Sequence, residues 1–155
     1  MKRLPIIMVI LLFGLAACQT ANTVTPVAVP TATVPAIPTP GTPMPGKATV
    51  TGRAFHLDTG APFDNMVIRL APVIHLDANP SDDTFVLDNS GSPAAISNSQ
   101  GYFVLANVDP KAYVVIVGDV DTQYAVATEQ PDKAKVWTLT AGQITDVGEI
   151  RVVLH

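Results

Sequence analysis

Prolines at positions 26, 30, 35, 38, 40, 43 and 45 punctuate a stretch from Gln19 to Gly46 that is otherwise nearly all Thr, Val and Ala. Each proline fixes its own φ, pushes the residue before it toward extended conformations and removes a backbone donor, so neither helix nor sheet propagates through the tract. The consequence is a division of the chain: a disordered Thr/Pro-rich stalk, then whatever folds cooperatively after it. At about 3.1 Å per residue in polyproline II, such a stalk lifts a domain up to roughly 80 Å from its point of attachment. Threonine-proline richness also permits O-glycosylation, but a plain solvated linker is the simpler reading.

The residues ahead of the stalk say what it is attached to. Lys2 and Arg3 precede about a dozen mostly apolar residues, Leu4 to Leu15, fewer than the roughly 20 that a bilayer-spanning helix needs. This reads as a signal peptide over 1–17. Its end, Leu15-Ala16-Ala17-Cys18, resembles the bacterial lipobox, in which the cysteine thiol is alkylated by diacylglycerol before cleavage. The resemblance implies that Cys18 becomes a lipidated N-terminus, with several acyl chains giving stable anchoring where one gives only marginal binding. An ordinary secretory signal would instead leave a lone reactive thiol on an exported chain. Gln19 stands where the inner-membrane retention signal has aspartate, which points to the outer membrane if the cell has one and to the outer face of the plasma membrane otherwise.

With the leader removed, nine basic residues become seven against thirteen acidic, and the formal charge moves from −4 to about −6. That balance excludes a nucleic-acid partner, which needs a basic stripe. Cys18 is the single cysteine, so no disulfide forms within the chain and the fold rests on its apolar core.

Residues 47–155 have the length of one β-sandwich. Runs rich in β-branched and aromatic residues, ATVTGRAF, NMVIRL, GYFVLANV, AYVVIVG, KVWTL and VGEIRVVL, alternate with turn clusters such as DTGAP, NPSDD, DNSGS and NSQG. Alternation places Ile68 and Leu70 opposite Arg69, and Ile150, Val152 and Leu154 opposite Arg151 and Val153. AYVVIVG is apolar without alternation, as expected of a central strand buried on both sides or shielded by a long loop. No window of helical length carries a comparable 3.6-residue stripe.

The order V-T-G-R-A, T-G-A-P-F, V-I-R-L, G-Y-F-V-L-A-N-V-D-P and A-Y-V-V-I-V resembles the carboxypeptidase regulatory-like domains of the prealbumin-like (transthyretin-like) group, which also includes the Cna B-type modules. The resemblance covers nearly all of 48–154. It implies a single Greek-key, Ig-like sandwich of about seven strands, serving as spacer, stability or binding module rather than catalyst. Gly101 suits a tight turn launching Tyr102 and Phe103, and 107–110 suits closure of the next hairpin. Where the family often has Pro-Gly before its tyrosine, Lys111 and Ala112 stand here before Tyr113. Some Cna B-type modules cross-link a first-strand lysine to a last-strand asparagine; Lys47 precedes the first strand and the last strand has no asparagine, so no isopeptide bond is expected.

Catalytic patterns find no purchase. His56, His75 and His155 are scattered without zinc-ligand spacing, and Ser90, Ser92, Ser97 and Ser99 lie in turn-rich sequence without a nucleophile elbow. The acidic residues Asp77, Asp82, Asp83 and Asp88 lack the spacing and glycine of a dedicated calcium loop. Trp137 reads as half-buried core rather than a sugar-stacking platform. No catalytic residue, metal or cofactor is expected.

The segment 72–100 is longer than the resemblance requires and looks like an added hairpin around Asn89-Ser90-Gly91. Its run Phe85, Val86, Leu87, with Asp88, is the candidate binding surface, or else a lid over the face that AYVVIVG would expose. The expectation is a non-catalytic, self-sufficient monomeric module that binds an envelope protein, peptide or glycan, or a spacer with no ligand of its own.

Overall fold

The structure is a computed structural model that describes residues 37–75 and 83–155. The lipobox, most of the stalk, and Asp77 and Asp82 of the acidic loop lie outside them. Among the described residues every regular element is a strand: β1 (Ala48–His56), β2 (Val67–His75), β3 (Asp83–Phe85), β4 (Ala94–Ile96), β5 (Tyr102–Val108), β6 (Ala112–Asp119), β7 (Gln123–Val126), β8 (Thr128–Gln130), β9 (Lys133–Ala134), β10 (Val136–Thr138) and β11 (Ile144–Val152). The chain is an all-β sandwich, as the sequence leads one to expect.

One layer is the sheet β11-β1-β5, in which first and last strands run parallel and β5 is antiparallel to β1. In the other, β6 pairs with β2 along one edge. Its second edge is divided between β10, at residues 112–114, and β7, at 116–119. The far edge of β2 is divided likewise between β4 and β3. Short strands laid end to end therefore fill four strand positions here against three opposite, which is how eleven segments make a sandwich of about seven. β8 and β9 form a separate small ribbon.

Alternation sends Val50 and Ala54, Ile68 and Leu70, Phe103 and Leu105, Tyr113, Val115 and Val117, and Ile150 and Val152 into one core between the layers. At roughly 1.5–3 kcal/mol per buried large apolar side chain, this core is the principal driving force. Gly101 has φ +79°, and a Cβ there would run into the Ala54 carbonyl oxygen. Only glycine suits that turn. Ser97, one of the serines weighed for chemistry, is buried as a pin: its hydroxyl donates to the Phe63 carbonyl (2.6 Å) and accepts from the Met66 amide (3.0 Å).

Two local expectations are corrected. Residues 107–110 do not close a hairpin, because β5 and β6 belong to different layers; with Asn107 at φ 59° the segment is an arch across the sandwich. The inserted segment is not a hairpin of its own either. β3 and β4 each pair with β2, and the turn between them closes through the Ser92 amide and the Asp88 carbonyl (3.1 Å). Three-residue strands satisfy β2 more fully this way than by pairing with each other.

β6 is buried along both faces. On the outer one, Val114 and Ile116, with Ala71, form a second apolar cluster, and Phe85, Leu87, Val73, Tyr124 and Val126 pack over it. Replacing Phe85 and Leu87 with serine should lower stability by about 1–3 kcal/mol per site, read from urea unfolding of the full chain. An unchanged midpoint would contradict this packing role.

Candidate functional site

The apolar cover over the outer face of the three-stranded sheet is limited to the end of the proline tract, Ile37, Pro38 and Pro40. Register sets three cross-strand rows there: Val104, Thr51 and Asp146; then Tyr102, Arg53 and Glu149; then Phe55 and Arg151. The Arg53 guanidinium carbon lies 4.4 Å from the Tyr102 ring centroid and 4.6 Å from that of Phe55, between the two aromatics in the row and the next. Its Nε donates to the Gln100 carbonyl at 2.9 Å. Arg151 covers Phe55 from the other strand, 4.9 Å from its centroid, and bonds Glu149 at 2.8 Å. Stacked cations of this kind contribute about 0.5–2 kcal/mol each, according to desolvation, and a side chain held on three sides needs little ordering when a ligand arrives.

The acidic bank depends on a bulge. The pairing of β1 with β11 shifts between Thr51/Asp146 and Arg53/Glu149, so two residues of β11, Val147 and Gly148, oppose Gly52 alone. Gly148 takes φ +75°, and its amide donates to Asp146 Oδ1 at 2.9 Å. The extra residue resets the alternation, leaving Asp146 and Glu149 both exposed while Val147 and Ile150 are both buried. An unbulged strand would turn one carboxylate inward.

The described end of the proline tract forms the opposite bank. Ile37 and Thr39 are exposed, Pro38 and Pro40 half-buried, and Ile37, Pro38 and Pro40 line a groove of about 290 Å³ with Tyr102, Arg53, Val104, Asp146 and Glu149. The chain then turns, with the Lys47 amide bonded to the Met44 carbonyl (3.0 Å), and enters β1. A larger open cleft of about 620 Å³ lies among Leu57, Tyr124, Val126, Val153 and His155. Its lining is mainly aliphatic; Arg151 reaches its edge, but no Asp or Glu lines it.

The four residues of the expected binding surface divide between two directions. Phe85 and Leu87 turn toward Val114 and Ile116, whereas Val86, 40% exposed, and Asp88 face solvent. Asp88 caps its own turn by accepting from the Ser90 amide. Trp137 packs half-buried against the main core, with Lys135 Nζ 4.9 Å from its ring centroid. His56 lies against Phe63, ring centroids 3.7 Å apart. Among the described residues no three His, Cys, Asp or Glu side chains converge as metal ligands would. Arg53, Tyr102, Asp146 and Glu149 were not singled out from the sequence. The available signal was the break of phase in Val147-Gly148-Glu149-Ile150, two apolar residues three apart with glycine between.

No protein-family model matches the chain, and no curated protein matches it. Among solved structures it is similar to a proposed carbohydrate-binding protein from Pseudomonas aeruginosa, at 16% identity and TM-score 0.43, over 72% of this chain and 92% of that one. It is also similar to part of a 9R-lipoxygenase from Cyanothece, at 15% identity and TM-score 0.41, over 69% of this chain and 16% of that one. Similarities at this level carry no functional argument, and the family resemblance rests on the quoted motifs alone.

Where the strand arch meets the linker turn, Lys47 Nζ bonds Asp109 Oδ1 at 2.6 Å, and this bond and charge hold the Asp109 carboxyl below its ordinary range. Tyr113, in the core behind, is pushed up to about 12, first by burial and then by the Asp109 charge. A phenol whose folded pKa is raised contributes stability that is complete below its unfolded value of about 10 and is lost as pH rises through the folded value. Absorbance titration should therefore find one of the three tyrosines ionising late, with stability falling between about pH 10 and 12. Three tyrosines titrating together near 10 in the folded chain would contradict it.

Proposed function

We propose that the chain is an exported lipoprotein, held to the cell envelope through lipid on Cys18, whose sandwich is a non-catalytic binding module. The observation that carries the binding half is the groove over Arg53 and Tyr102. A guanidinium fixed between two aromatic rings, beside two outward carboxylates on an otherwise uncovered sheet face, offers stacking, donor and acceptor groups together. β1, which floors the groove, is paired on both edges, so a ligand there is held by side chains rather than by strand addition.

The spacer reading accounts for the stalk and leaves this groove without a role. Anchoring rests on Leu15-Ala16-Ala17-Cys18 and on the uncharged tract after it. Since residues 37–40 line the groove, the reach available to the stalk is that of 19–36, roughly 55 Å in polyproline II rather than 80 Å.

Two measurements test the proposal. Cys18→Ser should abolish incorporation of a clickable fatty acid and release the protein from membranes or leave it at its precursor mass; labelled, membrane-bound Cys18→Ser protein would refute the anchor. In NMR titrations of the lipid-free chain with envelope glycan fragments and extended peptides, the binding ligand should shift resonances of Arg53, Tyr102 and Val104. Tyr102→Ala should weaken it at least tenfold while the chain still unfolds cooperatively, with only the modest loss of stability expected from the missing Arg53 stack. Shifts confined to residues 85–88 would move the site there, and no shifts with either ligand class would favour the spacer.

A further inference from the structure

We propose that the groove takes a second extended, proline-rich strand, supplied by the linker of a neighbouring copy of this chain. The inference rests on the groove being the binding site and names its ligand. The sheet already carries one such strand in cis: Pro38 and Pro40 are half-buried over it, Ile37 lines the groove although 62% exposed, and the intervening Thr39 is exposed. Beside them about 290 Å³ stays open over Tyr102, Thr51 and Val104. Polyproline II chains dock in grooves lined by aromatic rings, because such chains are preformed and lose little entropy on binding, and Tyr102 supplies such a ring here.

Charge selects which part of another copy can approach. After loss of the leader the chain carries about −6, and Asp146 and Glu149 add a local acidic bank, so domain against domain is repelled. The tract from Gln19 to Gly46 has no charged residue and more prolines than the groove wall uses. It is a long neutral segment, and unlike the uncharged run 89–108 it is not committed to the strands of the sandwich. Copies anchored in one membrane would also share a surface, where a weak contact is amplified by effective concentration.

The test uses the full mature chain carrying Cys18→Ser. Sedimentation should show concentration-dependent self-association, and a synthetic peptide of residues 33–45 should compete with it and shift the Tyr102 ring resonances. Tyr102→Ala and Val104→Asp, each still folded by NMR and unfolding cooperatively, should weaken association and peptide binding at least tenfold. A chain that stays monomeric into the millimolar range, with no Tyr102 shift on adding peptide, overturns the proposal. So does self-association that survives both variants. If the peptide fails while a glycan fragment still shifts Arg53 and Tyr102, this inference falls and the groove remains a binding site for another ligand. If neither ligand shifts them, the binding-module reading falls with it.

Discussion

A strand buried on both faces must be covered twice, and β6 is such a strand. Tyr113, Val115 and Val117 pack in the core between the sheets, whereas Val114 and Ile116 are covered by Phe85 and Leu87 together with outward residues of β2 and β7. The inserted segment, the outward residues of β7 and the end of β2 all bear on that second requirement. The larger sheet therefore has apolar packing on both sides. The smaller sheet is covered on its outer side only by the end of the proline tract, and polar and aromatic side chains remain accessible there. The location of the groove follows from this asymmetry.

The second constraint is the parallel pairing of β1 with β11. It joins the first and last strands of the fold, so the face near the chain's entry from the linker is also the face shaped by its last strand. The bulge at Gly148 turns that proximity into a site: one extra residue holds Asp146 and Glu149 on the outside without taking Val147 or Ile150 out of the core. Carboxylates placed so are fixed by the register of the sheet rather than by a flexible loop, and the stacked Arg53 opposite them is similarly constrained.

Much of the sandwich is legible in the sequence because period-two alternation is local. Ile68 and Leu70 against Arg69, and Ile150 and Val152 against Arg151, state their faces within a few residues, and the unbroken apolar run of β6 states that it needs cover on both. The arch at 107–110 is not legible, since a turn sequence does not say whether the next strand joins the same sheet. Nor are β3 and β4, whose three residues are too few for a period. The groove depends on register between strands far apart in sequence. Arg53 looks like any polar outward residue until β5 sets Tyr102 beside it and the bulged β11 sets Glu149 on its other side. The Phe85 run was recognisable as apolar, but its partners on β6 could only be matched once β3 was placed on β2.

The larger sheet is sealed on its outer face, whereas the smaller sheet is covered only by the end of the proline tract and is otherwise accessible. Solvent paramagnetic relaxation, measured by NMR on the lipid-free full chain with a soluble gadolinium chelate, tests it directly. The account predicts strong broadening of the Tyr102 ring and Val104 methyl signals, and weak broadening of the Val114 and Ile116 methyls. Equal or stronger broadening at Val114 and Ile116 would show that the Phe85 and Leu87 cover does not seal that face, and the argument that places the site over Arg53 would lose its basis.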